Sequence, residues 1–182
     1  MKKLFSFFVV SLFVVLCSAH NYYGGGYNHY SGQNLYMNVG CGVDISFNDW
    51  NHPHNAFNAQ VGYYVDYYNA VELDYSHGSK NCGSYYNRFG FNYVHECGSR
   101  SRTTPYFKLG AAYKNNTYII DEHIKFDEVL CDFKVGFGFH HYITPHLSLN
   151  LGLDATNGFN NDVSFAFKNI TLQTHFSLAY NF

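Results

Sequence analysis

The chain has 182 residues, of which only 13% are charged while 20% are aromatic, including 18 Tyr and 18 Phe. This aromatic content excludes an intrinsically disordered chain, and a formal net charge of −2 provides no basic surface for nucleic acid. Because a soluble domain normally carries about a quarter charged residues, the low charge indicates a surface that does not mainly face water.

The N-terminus has the pattern of a secretory signal peptide. Two lysines precede the apolar run Leu4–Leu16, and small residues follow it. The run is shorter than the roughly 20 apolar residues of a membrane-spanning helix, and the order of basic, apolar and small residues is that of a cleaved leader. We therefore expect residues 1–19 to be a signal peptide cut after Ala19. A lipoprotein cut before Cys17 is the alternative, disfavoured because the residue before it, leucine, is bulky.

Residues 20–32 form a segment rich in Gly, Tyr and Asn, which we expect to be flexible. From residue 33 onward the chain alternates between apolar and polar residues, which is the pattern of half-buried strands. Eight strands are predicted, at Gln33–Ile45, Phe57–Val65, Ala70–Ser76, Tyr85–His95, Thr104–Tyr113, Glu128–His140, Leu147–Asp154 and Thr171–Phe182. In Leu147–Asp154, for example, every odd-numbered residue is Leu and every even-numbered residue is Ser, Asn, Gly or Asp.

The connections between these strands alternate in length. The short ones are Asp66–Asn69, Gly98–Thr103 and His141–His146, and the long polar ones are Ser46–Ala56, His77–Ser84, Lys114–Asp127 and Ala155–Asn169. Short turns at one end and long loops at the other are typical of outer-membrane barrels, and lipid does not tolerate an open sheet edge. Residues 33–182 are therefore predicted to form an all-β, eight-stranded antiparallel up-and-down transmembrane β-barrel with four long surface loops and short periplasmic turns.

Five stretches of the chain carry a family resemblance. They are "LYMNVGCGVDIS", "QVGYYVDYYNAVELDYS", "TPYFKLGAAY", "VGFGFHHYITPHLSLNLGLD" and "FSLAYNF". They resemble the small OmpA-like and opacity-type outer-membrane barrels of Gram-negative bacteria, over roughly residues 33–182. Only the barrel domain is expected, without a periplasmic peptidoglycan-binding domain, because Phe182 ends the last strand.

The resemblance implies a location and a broad role. We expect a monomer in the cell outer membrane, surrounded by outer-membrane lipid and lipopolysaccharide. Its function would be envelope integrity together with surface binding or adhesion, with a surface or host ligand bound by the long loops. A narrow porin-like channel is the first alternative, and a lipid A-modifying enzyme is the second.

The last strand keeps its alternation to the final residue. Phe176, Leu178, Tyr180 and Phe182 share its apolar face. An unpaired terminal segment would be free to fray, so we expect this strand to pair with the first one. The pattern also resembles the C-terminal signal by which the barrel assembly machinery recognises outer-membrane proteins.

Eight charged residues fall on the polar faces of the predicted strands. They are Asp44, Glu72, Asp74, Arg88, Lys108, Asp132, Lys134 and Asp154. An eight-stranded barrel is just wide enough for side chains to fill, and buried charges persist where they are paired. We expect an internal ion-pair plug, with a gated ion path through the same network, or a catalytic pair of carboxylates, as alternatives.

No catalytic residue, cofactor or metal site is predicted, although the sequence contains three weaker patterns. His146-x-Ser148 has the residue types of a base and a nucleophile, but it lies at a predicted periplasmic turn, away from lipid A. The loop residues Asp49, His52 and His54, and the pair His77 and Cys82, contain zinc-ligand types without the spacing of a recognised site.

Four cysteines remain after cleavage of the leader. Cys41 and Cys131 fall on lipid-facing positions, where they serve as small apolar residues. Cys82 and Cys97 lie at opposite ends of the predicted fourth strand, about 50 Å apart in an extended chain. We therefore expect no disulfide between Cys82 and Cys97.

Overall fold

The computed structural model describes residues 35–46, 53–79, 84–97, 102–121, 124–144, 146–159 and 170–182. The strands are β1 (Leu35–Ser46), β2 (His54–Tyr64), β3 (Asn69–Ser79), β4 (Tyr85–Glu96), β5 (Thr103–Asp121), β6 (Ile124–Tyr142), β7 (Leu147–Phe159) and β8 (Ile170–Asn181). Each strand is antiparallel to its sequence neighbours, and β8 pairs with β1, so the sheet closes. Within the described residues, no helix is long and apolar enough to cross a membrane.

The alternation of residue types decides which face of each strand points outward. In β8, Phe176 and Leu178 are 52% and 48% exposed, whereas His175 and Ser177 are 4% and 3% exposed. A closed sheet that turns its apolar face outward and its polar face inward is built for an apolar solvent. The predicted fold, an eight-stranded antiparallel transmembrane β-barrel, is confirmed.

The barrel closes along the whole length of the first and last strands. Their pairing runs from Tyr36 opposite Asn181 to Ser46 opposite Thr171. The backbone N–H of Phe182 then donates to the carbonyl oxygen of Leu35 at 2.9 Å. The alternating C-terminal segment is therefore the closing strand of the barrel, as its sequence predicts.

β2 and β3 are connected by a tight turn. It lies at the same end of the barrel as the first residue of β1 and the last residue of β8. One carboxylate oxygen of Asp66 accepts hydrogen bonds from the backbone N–H groups of Tyr68 and Asn69 at 2.8 and 2.9 Å. The side-chain amide of Asn69 donates to both carboxylate oxygens. These bonds hold the pKa of Asp66 below its ordinary value because they favour the ionised form, and the bond from the Asn69 side chain has the largest effect. We call this end of the barrel the turn end and the opposite end the loop end.

The predicted loop at Lys114–Asp127 is wrong, because β5 and β6 continue through it as a paired hairpin. Polar residues here find partners across the two strands: Thr117 Oγ1 donates to Asp127 Oδ1 at 2.7 Å. The rings of Tyr118 and Phe126 face each other at 6.4 Å. Cross-strand pairs of this kind stabilise a sheet even where single-residue propensity is low.

The other three long connections are shorter than predicted. His54–Ala56 belongs to β2, His77–Ser79 belongs to β3, and Ala155–Phe159 belongs to β7. Most of what remains of these loops, residues 47–52, 80–83 and 160–169, lies outside the described part of the chain.

Replacing Leu73 by Arg tests whether the outward face of β3 is surrounded by lipid. Leu73 is 64% exposed in the middle of β3, between Val61 and Phe91, where lipid would surround it. We expect Leu73→Arg to lower the free energy of unfolding by about 2–4 kcal/mol, because arginine is costly at the bilayer midplane. The measurement is reversible urea unfolding in lipid vesicles.

Phe126 supplies the matched control for Leu73. It is 58% exposed but lies on the β5–β6 hairpin beyond the last pair of β6 with β7. Phe126→Arg should cost no more than about 1 kcal/mol. Equal costs for the two substitutions would contradict a lipid-facing wall at Leu73.

Candidate functional site

The polar faces of the strands converge in the interior of the barrel, where the predicted ion-pair residues lie. All eight are buried: Asp44, Glu72, Asp74, Arg88, Lys108, Asp132, Lys134 and Asp154 are at most 6% exposed. Each occupies an inward position of the period-2 alternation. The interior is therefore charged along most of its length, and the contacts differ from the turn end to the loop end.

A layer of tyrosines fills the turn end. The rings of Tyr36 and Tyr64 lie 5.0 Å apart between their centroids, and both belong with Tyr106 to one buried apolar cluster. The Tyr36 hydroxyl donates to Glu72 Oε1 at 2.7 Å, and the Tyr64 hydroxyl donates to Glu96 Oε1 at 2.6 Å. Each buried carboxylate is thus solvated by a phenol.

Glu96 was missed by the sequence analysis, although it is fully buried. Its carboxylate lies 3.1 Å from His140 Nδ1 and accepts a 3.3 Å hydrogen bond from the Tyr142 hydroxyl. A signal was present: Glu96 lies one residue past the predicted end of the fourth strand, on the same face as Arg88. Extending the alternation by one residue would have placed it inside.

Ion pairs occupy the middle of the barrel. Lys108 Nζ lies 3.1 Å from Glu72 Oε2. Lys134 Nζ lies 2.9 Å from Asp74 Oδ2 and 3.8 Å from Asp154 Oδ2, so one ammonium group bridges two carboxylates. Because all five side chains are shielded from water, each pair keeps most of its electrostatic attraction.

His175 connects the ion pairs to the tyrosine layer. Its Nε2 lies 3.0 Å from the Tyr106 hydroxyl, and its Nδ1 lies 3.9 Å from Asp154 Oδ2. The ring of Tyr106 in turn packs against that of His140, with centroids 4.4 Å apart and the planes tilted by 35°. Both histidines stand on the polar faces of their strands, although the network predicted from the sequence contained only Asp, Glu, Lys and Arg.

At the loop end, Arg88 and Asp44 are held by neutral partners. Arg88 Nη2 donates to Gln173 Oε1, and also to Ser76 Oγ at 3.1 Å. Asp44 Oδ2 accepts a hydrogen bond from the Tyr86 hydroxyl. The second acidic group of this layer, Asp132, has one carboxylate oxygen without a hydrogen-bond partner among the described residues.

Lys114 completes the loop-end layer and was assigned to a loop by the sequence analysis. Its ammonium group lies 4.7 Å from the centre of the Tyr86 ring. It is 9% exposed, and it continues the inward face of Lys108 one residue past the predicted end of the fifth strand, so ending that strand at Tyr113 is what placed it in a loop.

Glycines make room for these side chains. A Cβ atom at Gly62 would lie 2.0 Å from the Tyr36 ring, and one at Gly136 would lie 2.1 Å from Asp154 Oδ1. The side chains of Tyr36 and Asp154 fit inside the barrel only because the residues facing them, Gly62 and Gly136, have no Cβ atom. The glycine content of the polar faces therefore follows from the narrow bore of an eight-stranded barrel.

The His146-x-Ser148 pattern lies at the turn end. His146 Nδ1 lies 3.1 Å from the carbonyl oxygen of Asn181, and the imidazole stacks on Tyr180. Ser148 is buried inside the barrel, where its hydroxyl donates to Asn150 Oδ1 at 3.4 Å. The two residues therefore stand in different surroundings, one at the rim and one in the interior.

The weaker sequence patterns are only partly within the described residues. Asp49, His52 and Cys82 lie outside them, so the expected absence of a bond between Cys82 and Cys97 stays a prediction. Among the described residues, no group of three or more His, Cys, Asp or Glu side chains could hold a metal ion. Cys41 and Cys131 are exposed free thiols on the outward face.

Removing the ammonium group of Lys134 tests the ion pairs. Lys134→Met leaves Asp74 and Asp154 buried without their common partner, so we expect the free energy of unfolding to fall by about 3–5 kcal/mol. Adding Asp74→Asn should recover part of the loss, because one uncompensated charge disappears. Urea unfolding of the single and double variants measures both effects.

Lys125 is the control for this substitution. It is exposed on the β5–β6 hairpin, and Lys125→Met should change the free energy of unfolding by no more than about 0.5 kcal/mol. If Lys134→Met is equally mild, the interior pairs do not stabilise the barrel.

No protein-family model matches the sequence, and no curated protein matches it. Solved structures do match. The N-terminal β-barrel domain of Pseudomonas aeruginosa OprF has a TM-score of 0.62 and 20% sequence identity, covering 84% of this chain and 100% of that one. Neisserial surface protein A has a TM-score of 0.66 and 12% identity, covering 84% and 98%.

A third match is Ail, the attachment invasion locus protein of Yersinia pestis. Its TM-score is 0.59 at 10% identity, covering 83% of this chain and 99% of that one. At these identities the likeness concerns the fold and not the ligand. The chain has the fold of the small, eight-stranded, OmpA-like outer-membrane barrels.

Proposed function

We propose that this protein is a structural and surface protein of a Gram-negative outer membrane. The observation that carries the proposal is the closed barrel with a continuous outward apolar wall and a charged, filled interior. Such a wall requires hydrocarbon around it, and closed barrels of this kind are inserted into outer membranes. The likeness to three outer-membrane barrels supports the same location.

Export and assembly are each assigned to a segment of the chain. Residues 1–19 act as a cleaved signal peptide, and these residues and residues 20–32 lie outside the described part of the chain. The C-terminal strand, with Phe176, Leu178, Tyr180 and Phe182 on its outward face, is recognised by the barrel assembly machinery. The barrel works as a monomer, because every strand edge is already paired within one chain.

The interior network serves stability in this proposal. Inward charges are paired with one another, or bonded to phenols and amides, along the barrel. A rigid, closed barrel contributes to envelope integrity without transporting a solute. A narrow channel is the second candidate, favoured by the charged lining. It would require the layer of Tyr36, Tyr64 and Tyr106 at the turn end to move aside.

We assign the protein no catalytic role. The pattern that motivates the third candidate, a lipid A-modifying enzyme, is His146-x-Ser148. With the turn end facing the periplasm, this pair lies on the opposite side of the bilayer from lipid A. A Ser148 hydroxyl inside the barrel is also out of reach of an acyl chain in the surrounding lipid.

Surface binding or adhesion is assigned to the loop end. By sequence, the β5–β6 hairpin beyond Lys114 and the connections at the loop end contain six acidic and three basic residues: Asp49, Asp121, Glu122, Asp127, Glu128 and Asp162 against Lys80, Lys125 and Lys168. Ail was solved in complex with the heparin analogue sucrose octasulfate, a polyanion. The excess of acidic over basic residues at the loop end of this chain favours a neutral or cationic surface ligand instead.

Exchanging the loops tests the division of roles. In a strain that lacks the protein, we compare the full chain with a variant whose residues 47–52 and 160–169 are replaced by Gly-Ser repeats. Both should restore resistance to detergent, because the barrel is intact, while only the full chain should restore binding to host cells or matrix. Restored binding by the Gly-Ser variant would contradict a role for these loops.

An epitope tag supplies the topological control. A tag after Asn51, between β1 and β2, should be labelled on intact cells. A tag after Tyr67, in the β2–β3 turn, should be labelled only after permeabilisation. The reverse result would place the loop end in the periplasm.

A further inference from the structure

The side chain of Tyr106 lies across several strands of the inner wall. Tyr106 stands on β5, and a Cβ atom at Gly138 of β6 would lie only 2.6 Å from its hydroxyl oxygen. A Cβ atom at Gly152 of β7 would also collide with this hydroxyl. The hydroxyl ends beside β8, where His175 Nε2 lies 3.0 Å away. One side chain therefore covers the inner wall from β5 to β8.

This side chain closes the part of the bore that the other tyrosines of the layer do not cover. Tyr36 and Tyr64 stand on β1 and β2. Between the turn end and His175, the inward side chains of β7 and β8 are short and neutral. They are Ser148, Asn150, Ser177, Ala179 and Asn181. On the β7–β8 side, Tyr106 therefore separates the turn end from the ion pairs in the middle of the barrel.

The bond to His175 is the only hydrogen bond of the Tyr106 hydroxyl among the described residues. The ring itself is held by weaker contacts. It packs against His140, and the ammonium group of Lys108 lies 5.6 Å from its centre. Because buried polar groups need a hydrogen-bond partner, the position of the hydroxyl depends on His175.

The surroundings of His175 decide which ring nitrogen carries the proton. Nδ1 lies 3.9 Å from Asp154 Oδ2, and an ionised carboxylate can only accept hydrogen bonds. We therefore assign the proton of the neutral imidazole to Nδ1. Nε2 is then the acceptor for the Tyr106 hydroxyl, and a second proton, added at Nε2, removes that acceptor.

Asp154 is a second partner for His175, with capacity to spare. It is 1% exposed, and its Oδ1 has no hydrogen-bond partner among the described residues. The ammonium group of Lys134 lies 3.8 Å from Oδ2, beyond the length of a charge-assisted hydrogen bond. A buried carboxylate in this situation is stabilised when a charged donor comes closer.

We propose that His175 is a pH-sensitive switch that holds Tyr106 over the inner wall when neutral and releases it when protonated. A proton taken from an acidic medium at Nε2 ends the bond from the Tyr106 hydroxyl. The imidazolium then pairs with Asp154 through Nδ1. Tyr106 leaves its place over the glycines, and the β7–β8 side of the turn end opens to ions. The inference rests on the closed barrel proposed above and adds the condition that opens it.

Charged groups from four strands face the His175 ring. They are Asp154 of β7 and Glu72 of β3, which are negative, and Lys108 of β5 and Lys134 of β6, which are positive. Since these charges balance, the proton on His175 is the change in charge that sets the switch. Imidazole is also the side chain that ordinarily titrates closest to neutral pH.

Planar-bilayer recording of the purified, refolded protein, from neutral pH down to about pH 4, tests the switch. We expect channel openings to be at least about tenfold more frequent at the acidic limit, because the loss of one hydrogen bond shifts an equilibrium by about that factor. The imidazole nitrogen NMR resonances of His175, recorded in detergent, should titrate over the same pH range.

Two variants separate the bond from the proton. His175→Gln replaces Nε2 by an amide oxygen that accepts from Tyr106 and does not titrate, so the barrel should stay closed at both pH limits. Tyr106→Phe keeps the ring and removes the hydroxyl, so openings should be equally frequent at both limits. Unchanged circular dichroism and gel migration show that each variant has folded.

His54→Gln is the matched control. It makes the same substitution at another inward histidine, on β2 at the loop end, opposite Asp44. This variant should keep the pH response of the unmodified protein.

The switch is wrong if acid does not open the unmodified protein, or if His175→Gln responds to acid as the unmodified protein does. A pH response that persists in Tyr106→Phe would overturn it as well, even where His175→Gln does not fold. Openings of the unmodified protein at neutral pH would instead contradict the closed barrel itself.

Discussion

The structure depends on one constraint: in hydrocarbon, every backbone N–H and C=O group must find its partner within the protein. An open sheet has two edges of unpaired groups, and only closure removes them. The pairing of β8 with β1 along their full length meets this requirement. The apolar ending of the chain, the antiparallel order of the strands and the outward direction of Phe and Leu side chains all follow from it.

Closure with only eight strands imposes the second condition, a bore that side chains must fill. Tyrosine and charged side chains fill the bore, and glycines such as Gly62 and Gly136 leave room for them because they have no side chain. Charges inside such a bore are costly unless they are paired and hydrogen-bonded. The chain meets this cost with ion pairs such as that of Lys134 and Asp74, and with phenol donors to Glu72 and Glu96.

Alternation made most of the fold predictable from the sequence. A one-residue slip would turn every side chain to the opposite face, so the pattern fixed both the eight strands and the inward position of the charged residues. It failed where polar residues occupy both faces. On the β5–β6 hairpin there is no lipid to demand an apolar face, and cross-strand pairs such as Thr117 with Asp127 maintain the strands instead.

The contacts inside the barrel were not predictable in the same way. Alternation states that Glu96 or His175 points inward, but not which strand faces it across the bore, since this depends on the stagger of all eight strands. The register also places Asn87 beside His77 and Asn69 beside His95, which the sequence alone does not show.

In the proposed function, paired charges and the tyrosine layer close the barrel to ions. Planar-bilayer recording of the purified, refolded protein tests it most directly, with a porin in the same bilayer as the positive control. We predict no steady single-channel current at neutral pH, because Tyr36, Tyr64 and Tyr106 fill the turn end and the charges above them are held in pairs. Reproducible, long-lived channel openings would contradict the account and would make the narrow channel the preferred function.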